Sequence, residues 1–143
     1  GLLMVISKVA VSFLVLITFA STPSWALKKS EYELFQDYAL AACIAQAYGN
    51  GDIYKDSIDA LNGYRARSNV PLESYLEINE LIRNWLKKPY LSKEGEKTEI
   101  AACIDVIKSS EMKEIFAKFN PCKEKSFWSD SDLYIHRCPN EVD

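Results

Sequence analysis

The chain has 143 residues, of which 48% are hydrophobic and 26% are charged, and its formal net charge is -3. This length fits one domain, and the hydrophobic content excludes a disordered polyelectrolyte. The absence of a basic excess argues against a general nucleic-acid-binding protein, because such proteins meet phosphate with lysine and arginine.

The first 26 residues have the features of a cleaved secretory signal peptide. Lys8 supplies the positive charge, residues 9–20 form the apolar core, and Ser24 and Ala26 place small residues where a signal peptidase reads them. A membrane anchor is the alternative, but a spanning helix needs roughly 20 apolar residues, and this stretch gives way to polar residues before Pro23. We therefore expect cleavage after Ala26, export to the periplasm, and one mature domain over residues 27–143 that carries no membrane segment.

Four cysteines lie in the mature part, and an even number in a small exported chain predicts disulfides. They are Cys43, Cys103, Cys122 and Cys138, and they allow three pairings. Cys43 and Cys103 share the context AACI, whose alanines let two helix backbones come as close as a disulfide requires. This context favours Cys43–Cys103, which leaves Cys122–Cys138 as a local clip on the C-terminal tail.

The mature chain predicts an all-α fold, a compact bundle of about five helices stapled by disulfides, because no segment alternates strictly between apolar and polar residues. Caps and breaks at Ser30, Asp52, Pro71, Thr98 and Ser109 mark the expected helix starts. The predicted helices span about 30–48, 52–67, 71–87, 98–108 and 110–119. From about residue 120 onward we expect an irregular, aromatic tail that is clipped by a disulfide.

The apolar positions of each helix predict which side chains face the core. The first predicted helix has so few polar residues after Asp37 that it should be central. Asn79 lies on the third apolar stripe, either as a buried amide or as a contact at a dimer seam. The expected core residues, helix by helix, are Leu34, Phe35, Tyr38, Ala39, Ala42 and Ala45; Ile53, Ser57, Ala60, Leu61 and Tyr64; Leu72, Tyr75, Leu76, Ile82 and Leu86; Ile100, Cys103, Ile104 and Ile107; and Met112, Ile115, Phe116 and Phe119.

A search for catalytic and metal-binding groups finds little. His136 is the only histidine, and its neighbours Cys122 and Cys138 are expected to be oxidised, which disfavours a Cys–His nucleophile pair. No CxxC or CxxH spacing for zinc is present. We therefore expect no enzyme activity, no cofactor and no metal. Two clusters of acidic residues fit solvated helix faces better than a chemical role. The first cluster, considered for acid–base catalysis, is Glu73, Glu77 and Glu80. The second, considered for a calcium loop, is Asp52, Asp56 and Asp59.

The polar segment at residues 89–97 is the strongest candidate for a functional site. It begins with Pro89, contains Gly95, and joins two helices that fewer residues could connect. One interpretation is a protruding loop that presents a binding surface on a rigid scaffold. The other is a connector without a function of its own.

Five motifs, taken in their order and spacing, resemble a known family. They are DYAL at 37–40, CIA at 43–45, PLESY at 71–75, SKEG at 92–95 and CID at 103–105. Together they resemble the family-four amidase immunity proteins, which are periplasmic proteins that neutralise the amidase effectors of type VI secretion systems. The resemblance covers about residues 32–119, and the tail departs from it.

The resemblance implies an all-helical dimer that binds a peptidoglycan amidase with a Cys–His catalytic pair, in a hetero-oligomer, and blocks its active site sterically. Cys43 and Cys103 match the disulfide positions of the family. The loop would enter or cover the catalytic groove, with Tyr90 and Leu91 as anchors and the residues after them placing hydrogen bonds. The partner-binding residues that the resemblance implies are Pro89, Tyr90, Leu91, Ser92, Lys93, Glu94, Gly95 and Glu96.

A periplasmic acid-stress chaperone is the alternative function. A small, helical, disulfide-bonded protein fits that function equally well in size and compartment. A chaperone would act on many unfolded clients at low pH, whereas an immunity protein would bind one amidase.

Overall fold

The computed structural model describes residues 29–139, so the predicted signal peptide lies outside the described residues. Within this range, extended pairing is limited to one isolated bridge between Leu91 and Lys97, and the all-α prediction is confirmed. None of the helices in residues 29–139 combines the length and the apolar content that crossing a bilayer requires. The helices are α1 (Glu31–Tyr48), α2 (Gly51–Arg67), α3 (Leu72–Leu86), α4 (Glu99–Lys108), α5 (Ser110–Phe119) and α6 (Ser131–Arg137).

Helix α1 begins and ends at the residues that the sequence indicates. The Ser30 hydroxyl accepts a hydrogen bond from the Glu33 amide at 3.2 Å, and the Ser30 amide donates to the Glu33 carboxylate at 2.7 Å. This reciprocal capping box satisfies amides that have no partner inside the helix. At the other end Gly49 adopts a left-handed φ of 67° and its amide closes on the Ala45 carbonyl.

The core forms around α1, which packs against α2, α3 and α4. All six residues expected to face inward from this helix are buried, so its predicted central position is confirmed. Cys43 on α1 and Cys103 on α4 are both fully buried and form a disulfide with a Cα–Cα distance of 5.5 Å. The pairing favoured by the sequence is therefore confirmed, and in the chain-entropy model a closed loop of this length contributes about 4 kcal/mol.

Several side chains expected in the core are instead exposed. Leu72 and Leu76 on α3 expose 60% and 64% of their surfaces, and Ile100 and Ile104 on α4 expose 42% and 41%. Both helices have apolar arcs wider than the surface they cover, so the periodicity alone does not fix their rotation. The buried face of α4 is formed by Ala102, Cys103 and Val106. The two isoleucines lie beside Cys103 on the opposite side from Ala102 and Val106.

The start of α2 also differs from the prediction. Asn50, not Asp52, stands at the N-cap position, and Asp52 lies inside the first turn, where its charge suits the helix dipole. Ile53 was expected to face the core but exposes 53% of its surface. The helix begins directly after the turn that closes α1, so its first turn projects beyond the core.

The tail is more regular than expected. Two 3-10 turns, Pro121–Lys123 and Lys125–Phe127, lead into α6, so the expectation of an irregular tail is wrong for residues 131–137. The Asp130 carboxylate accepts hydrogen bonds from two amides of the first turn, which explains where α6 begins. The Cys122–Cys138 disulfide is confirmed, and Tyr134 packs inside the clip that it closes.

Candidate functional site

The segment between α3 and α4 folds into a small, ordered hairpin. Leu91 and Lys97 form an antiparallel bridge, and the Ser92 amide donates to the Glu96 carbonyl at 2.7 Å. Gly95 turns the chain with a φ of 83°, a conformation that glycine adopts without the steric cost of a Cβ. Its amide donates to the Ser92 carbonyl at 3.0 Å. The hairpin is therefore held by its own backbone.

The Ser92 side chain organises the tip of the hairpin from within. Its hydroxyl oxygen accepts hydrogen bonds from the amides of Glu94 and Glu96, each at 3.2 Å. Local bonds of this kind fix a turn that would otherwise sample many conformations. The Ser92 oxygen is thus engaged inside the loop, while the side chains of Lys93, Glu94 and Glu96 remain exposed.

Tyr90 fastens the base of the hairpin to the helical scaffold. Its hydroxyl donates to the Asp105 carboxylate of α4 at 3.0 Å, and its ring stacks on Trp85 of α3 with centroids 6.5 Å apart. Its carbonyl accepts from the Thr98 amide at 2.8 Å and from the Thr98 hydroxyl at 3.3 Å. Desolvation and the hydrogen bond to Asp105 raise the pKa of Tyr90, so the hydroxyl stays a donor.

Tyr90 and Leu91, the two residues that the resemblance implies as anchors, differ in their surroundings. Tyr90 is half-buried and makes contacts inside the chain, whereas Leu91 exposes 61% of its surface. The supporting residues Trp85, Thr98 and Asp105 were missed as part of the site. Thr98 was expected to cap α4 and does stand at the N-cap, but its hydroxyl bonds to the hairpin instead of a helix amide.

The residues considered for catalysis are not assembled into a site. All four cysteines are in disulfides, which removes the thiol that a Cys–His pair needs. Glu77 pairs with Lys118 and Glu80 pairs with Arg83, as expected for solvated helix faces. Residues 29–139 contain no group of three or more histidine, cysteine, aspartate or glutamate side chains placed to hold a metal ion.

Asn79 is engaged within the chain, at the edge of a cleft of about 480 Å³ between α1, α2 and α3. Its amide nitrogen donates to the Tyr38 hydroxyl at 3.0 Å, and its side-chain oxygen accepts from Gln46 at 3.2 Å. The amide is only partly buried, and Leu76 lines the same cleft. A second cleft, of about 530 Å³, lies between the start of α3 and the tail, with Phe127 and Trp128 on its wall.

Comparison with known proteins identifies the family. The model of the family Tai4, described as type VI secretion system (T6SS), amidase immunity protein, matches residues 33–116. This range is more than half of the chain; it includes the hairpin and the Cys43–Cys103 disulfide and leaves out the tail. No curated protein matches the sequence. The chain belongs to the Tai4 family of type VI secretion system amidase immunity proteins.

Proposed function

We propose that this protein binds a cognate peptidoglycan amidase effector and blocks its active site with the hairpin at residues 89–97. The observation that carries the proposal is the hairpin itself, which is exposed at its tip yet held by hydrogen bonds at its centre and base. A loop that is ordered before binding loses little conformational entropy in the complex. The protein would act by occupying a groove and needs no catalytic group of its own.

The tip of the hairpin combines an apolar side chain with charged ones. Leu91 supplies exposed apolar surface beside a row of charges from Lys93, Glu94 and Glu96. An apolar contact surrounded by polar groups is the usual composition of a specific interface. Leu91 would enter the groove of an amidase of the Cys–His type, and the charged residues would bind around its rim.

Replacing residues 91–96 by a glycine–serine linker of equal length tests the proposal. Tyr90 and Thr98 remain, so α3, α4 and the Cys43–Cys103 disulfide are kept and the fold should survive. We expect the variant to melt as a folded protein and to lose both amidase binding in calorimetry and protection of cells that express the effector in the periplasm. The control replaces the exposed residues 124–126 of the tail in the same way and should protect fully. Equal affinity of both variants would refute the blocking role of the hairpin.

The working form is a homodimer, as the family resemblance implies. Leu72 and Leu76 lie one turn apart on α3 and expose apolar surface that a partner subunit could cover. Glutamate at both positions should convert the dimer into a folded monomer in light scattering after size exclusion. Leu133→Glu on α6 is the control and should leave the dimer intact. A dimer that persists in the double variant would place the subunit contact elsewhere.

The site of action is the periplasm, where a peptidoglycan amidase meets its substrate. Two disulfides support this location, because disulfides persist in oxidising compartments. Cell fractionation together with thiol alkylation tests it. Recovery of a shortened, fully oxidised chain in the periplasmic fraction is expected, and recovery of a reduced chain in the cytoplasm would refute it.

A further inference from the structure

Two isoleucines of α4, the helix that follows the hairpin, are partly exposed. Ile100 and Ile104 expose 42% and 41% of their surfaces. They are four residues apart and therefore lie side by side on one helix face. Two large apolar side chains that are partly exposed beside each other form a small apolar patch, unlike a single exposed residue.

The patch and the hairpin are joined into one rigid surface. Asp105, next to Ile104 in the helix, accepts the hydrogen bond from Tyr90 at 3.0 Å. At the start of α4 the Thr98 amide and hydroxyl both bond to the Tyr90 carbonyl. Tyr90 therefore contacts Thr98 and Asp105, which flank the two isoleucines in the sequence. These contacts hold the hairpin in one position relative to the patch before any partner binds.

The size of the hairpin indicates that it needs a neighbour. A specific interface uses roughly 20–30 residues a side and buries about 800 Å² on each partner. The hairpin at residues 89–97 is far smaller than that. A partner whose groove is filled by the hairpin must also contact the surface around the base of the hairpin. Ile100 and Ile104 supply exposed apolar surface on α4, the helix that begins at this base.

We infer that Ile100 and Ile104 form a second contact for the amidase effector, outside its catalytic groove, and that Tyr90 is a positioning residue that holds the hairpin at a set distance from them. The inference rests on the proposed function. It makes Leu91 the apolar contact residue of the hairpin and removes Tyr90 from the direct interface. The apolar pair would pack against the rim of the amidase while the hairpin fills the groove.

Single charge substitutions test the apolar contact. Ile100→Glu and Ile104→Glu should each weaken binding of the purified amidase on the order of 10-fold or more, because each places a charge in a buried contact. Ile135→Glu on α6 is the matched control, since Ile135 exposes a similar 46% of its surface and lies in the tail. Circular dichroism should give the same melting temperature for all three variants.

Tyr90→Phe tests the positioning role, because it keeps the ring and removes only the hydroxyl. We expect a loss of affinity on the order of fivefold, a melting temperature lowered by no more than a few degrees, and a less favourable binding entropy. Asp105→Asn should have a similar effect, and the double variant should lose no more than either single one. Additive losses would refute the coupling between Tyr90 and Asp105.

The outcomes separate this inference from the proposed function. If the linker variant of the hairpin loses binding while both isoleucine variants bind as tightly as the natural protein, the second contact is refuted and the blocking role stands. If the isoleucine variants change only the oligomeric state, the patch belongs to a subunit contact and the inference is refuted. If the linker variant binds normally, the proposed function itself fails.

Discussion

Replacing Glu31 by alanine tests whether a buried carboxylate ties the start of α1 to the rest of the fold. Glu31 is fully buried, and one of its oxygens accepts from the Ser68 hydroxyl at 2.7 Å and from the Asn69 amide at 3.0 Å. Both donors belong to the turn between α2 and α3. Arg137 of α6 is also buried, lies close enough to favour the charged form of Glu31, and donates to the Lys29 carbonyl at 3.1 Å.

The two hydrogen bonds set the size of the effect. A hydrogen bond contributes about 0.5–1.5 kcal/mol, or about 1.5–3 kcal/mol when its acceptor is charged, and the cost of burying the Glu31 carboxyl group offsets part of the sum. Glu31→Ala also leaves the Ser68 and Asn69 donors without their acceptor. We therefore expect the free energy of unfolding at pH 7 to fall by about 3 kcal/mol. Urea denaturation with intact disulfides would show this as a midpoint lowered by about 1–3 M.

Glu31→Gln gives a second measurement with a defined dependence on pH. Burial raises the pKa of Glu31 above its ordinary value of 4.5, in spite of the hydrogen bonds from Ser68 and Asn69. The folded protein therefore binds this proton more tightly than the unfolded chain does. The resulting stabilisation is fully present below pH 4.5 and is lost as the pH rises through the raised pKa. The natural protein should thus gain stability over Glu31→Gln on acidification.

Two results would refute this reasoning. A loss below about 0.5 kcal/mol in Glu31→Ala would mean that the carboxylate contributes no more than an ordinary surface residue. A stability difference between the natural protein and Glu31→Gln that shrinks on acidification would mean that the pKa of Glu31 is lowered in the fold. Glu73→Gln serves as the control for the loss of a first-turn charge, since Glu73 is exposed in the first turn of α3.

Three further predictions concern the covalent and backbone constraints. Serine at both Cys43 and Cys103 should lower the free energy of unfolding, measured by urea denaturation, by about 4 kcal/mol. Serine at both Cys122 and Cys138, which close a shorter loop, should lower it by about 3 kcal/mol. Equal losses would contradict the dependence on loop length. Removing the second disulfide should leave amidase affinity in calorimetry within about twofold, because the tail lies outside the proposed interface. Gly95→Ala should cost about 1–2 kcal/mol through its φ of 83° and weaken amidase binding, whereas an unchanged melting temperature and affinity would show that the turn is not constrained.

The features that the sequence predicted correctly depend on local signals. Ser30 and Gly49 mark the ends of α1, because a capping side chain and a left-handed glycine act within a few residues of the helix. The repeated AACI context indicated the Cys43–Cys103 pairing, since small neighbours are what a close approach of two helices requires. The polar segment between α3 and α4 was located by its composition and length, both of which are local properties, whereas its hairpin conformation was not predicted.

The features that the sequence did not predict depend on tertiary contacts. Glu31 was a favourable acid at the start of a helix, and only the fold brings Ser68 and Asn69 to it and buries it. Tyr90 in a polar loop suits a partner contact and a scaffold contact equally well, and the choice depends on Trp85 and Asp105. No local pattern carries that information, because the contacting residues come from different helices.

The rotation of α4 connects the stability of the scaffold to its proposed binding surface. The disulfide to α1 fixes the direction of Cys103, and the buried Ala102 and Val106 then define the core face of the helix. Ile100 and Ile104 belong to the same apolar sequence stripe as Cys103, yet they lie on the side that this rotation turns outward. Apolar residues that the periodicity assigns to the core are therefore available to a partner, because a covalent bond has already determined which face of α4 is buried.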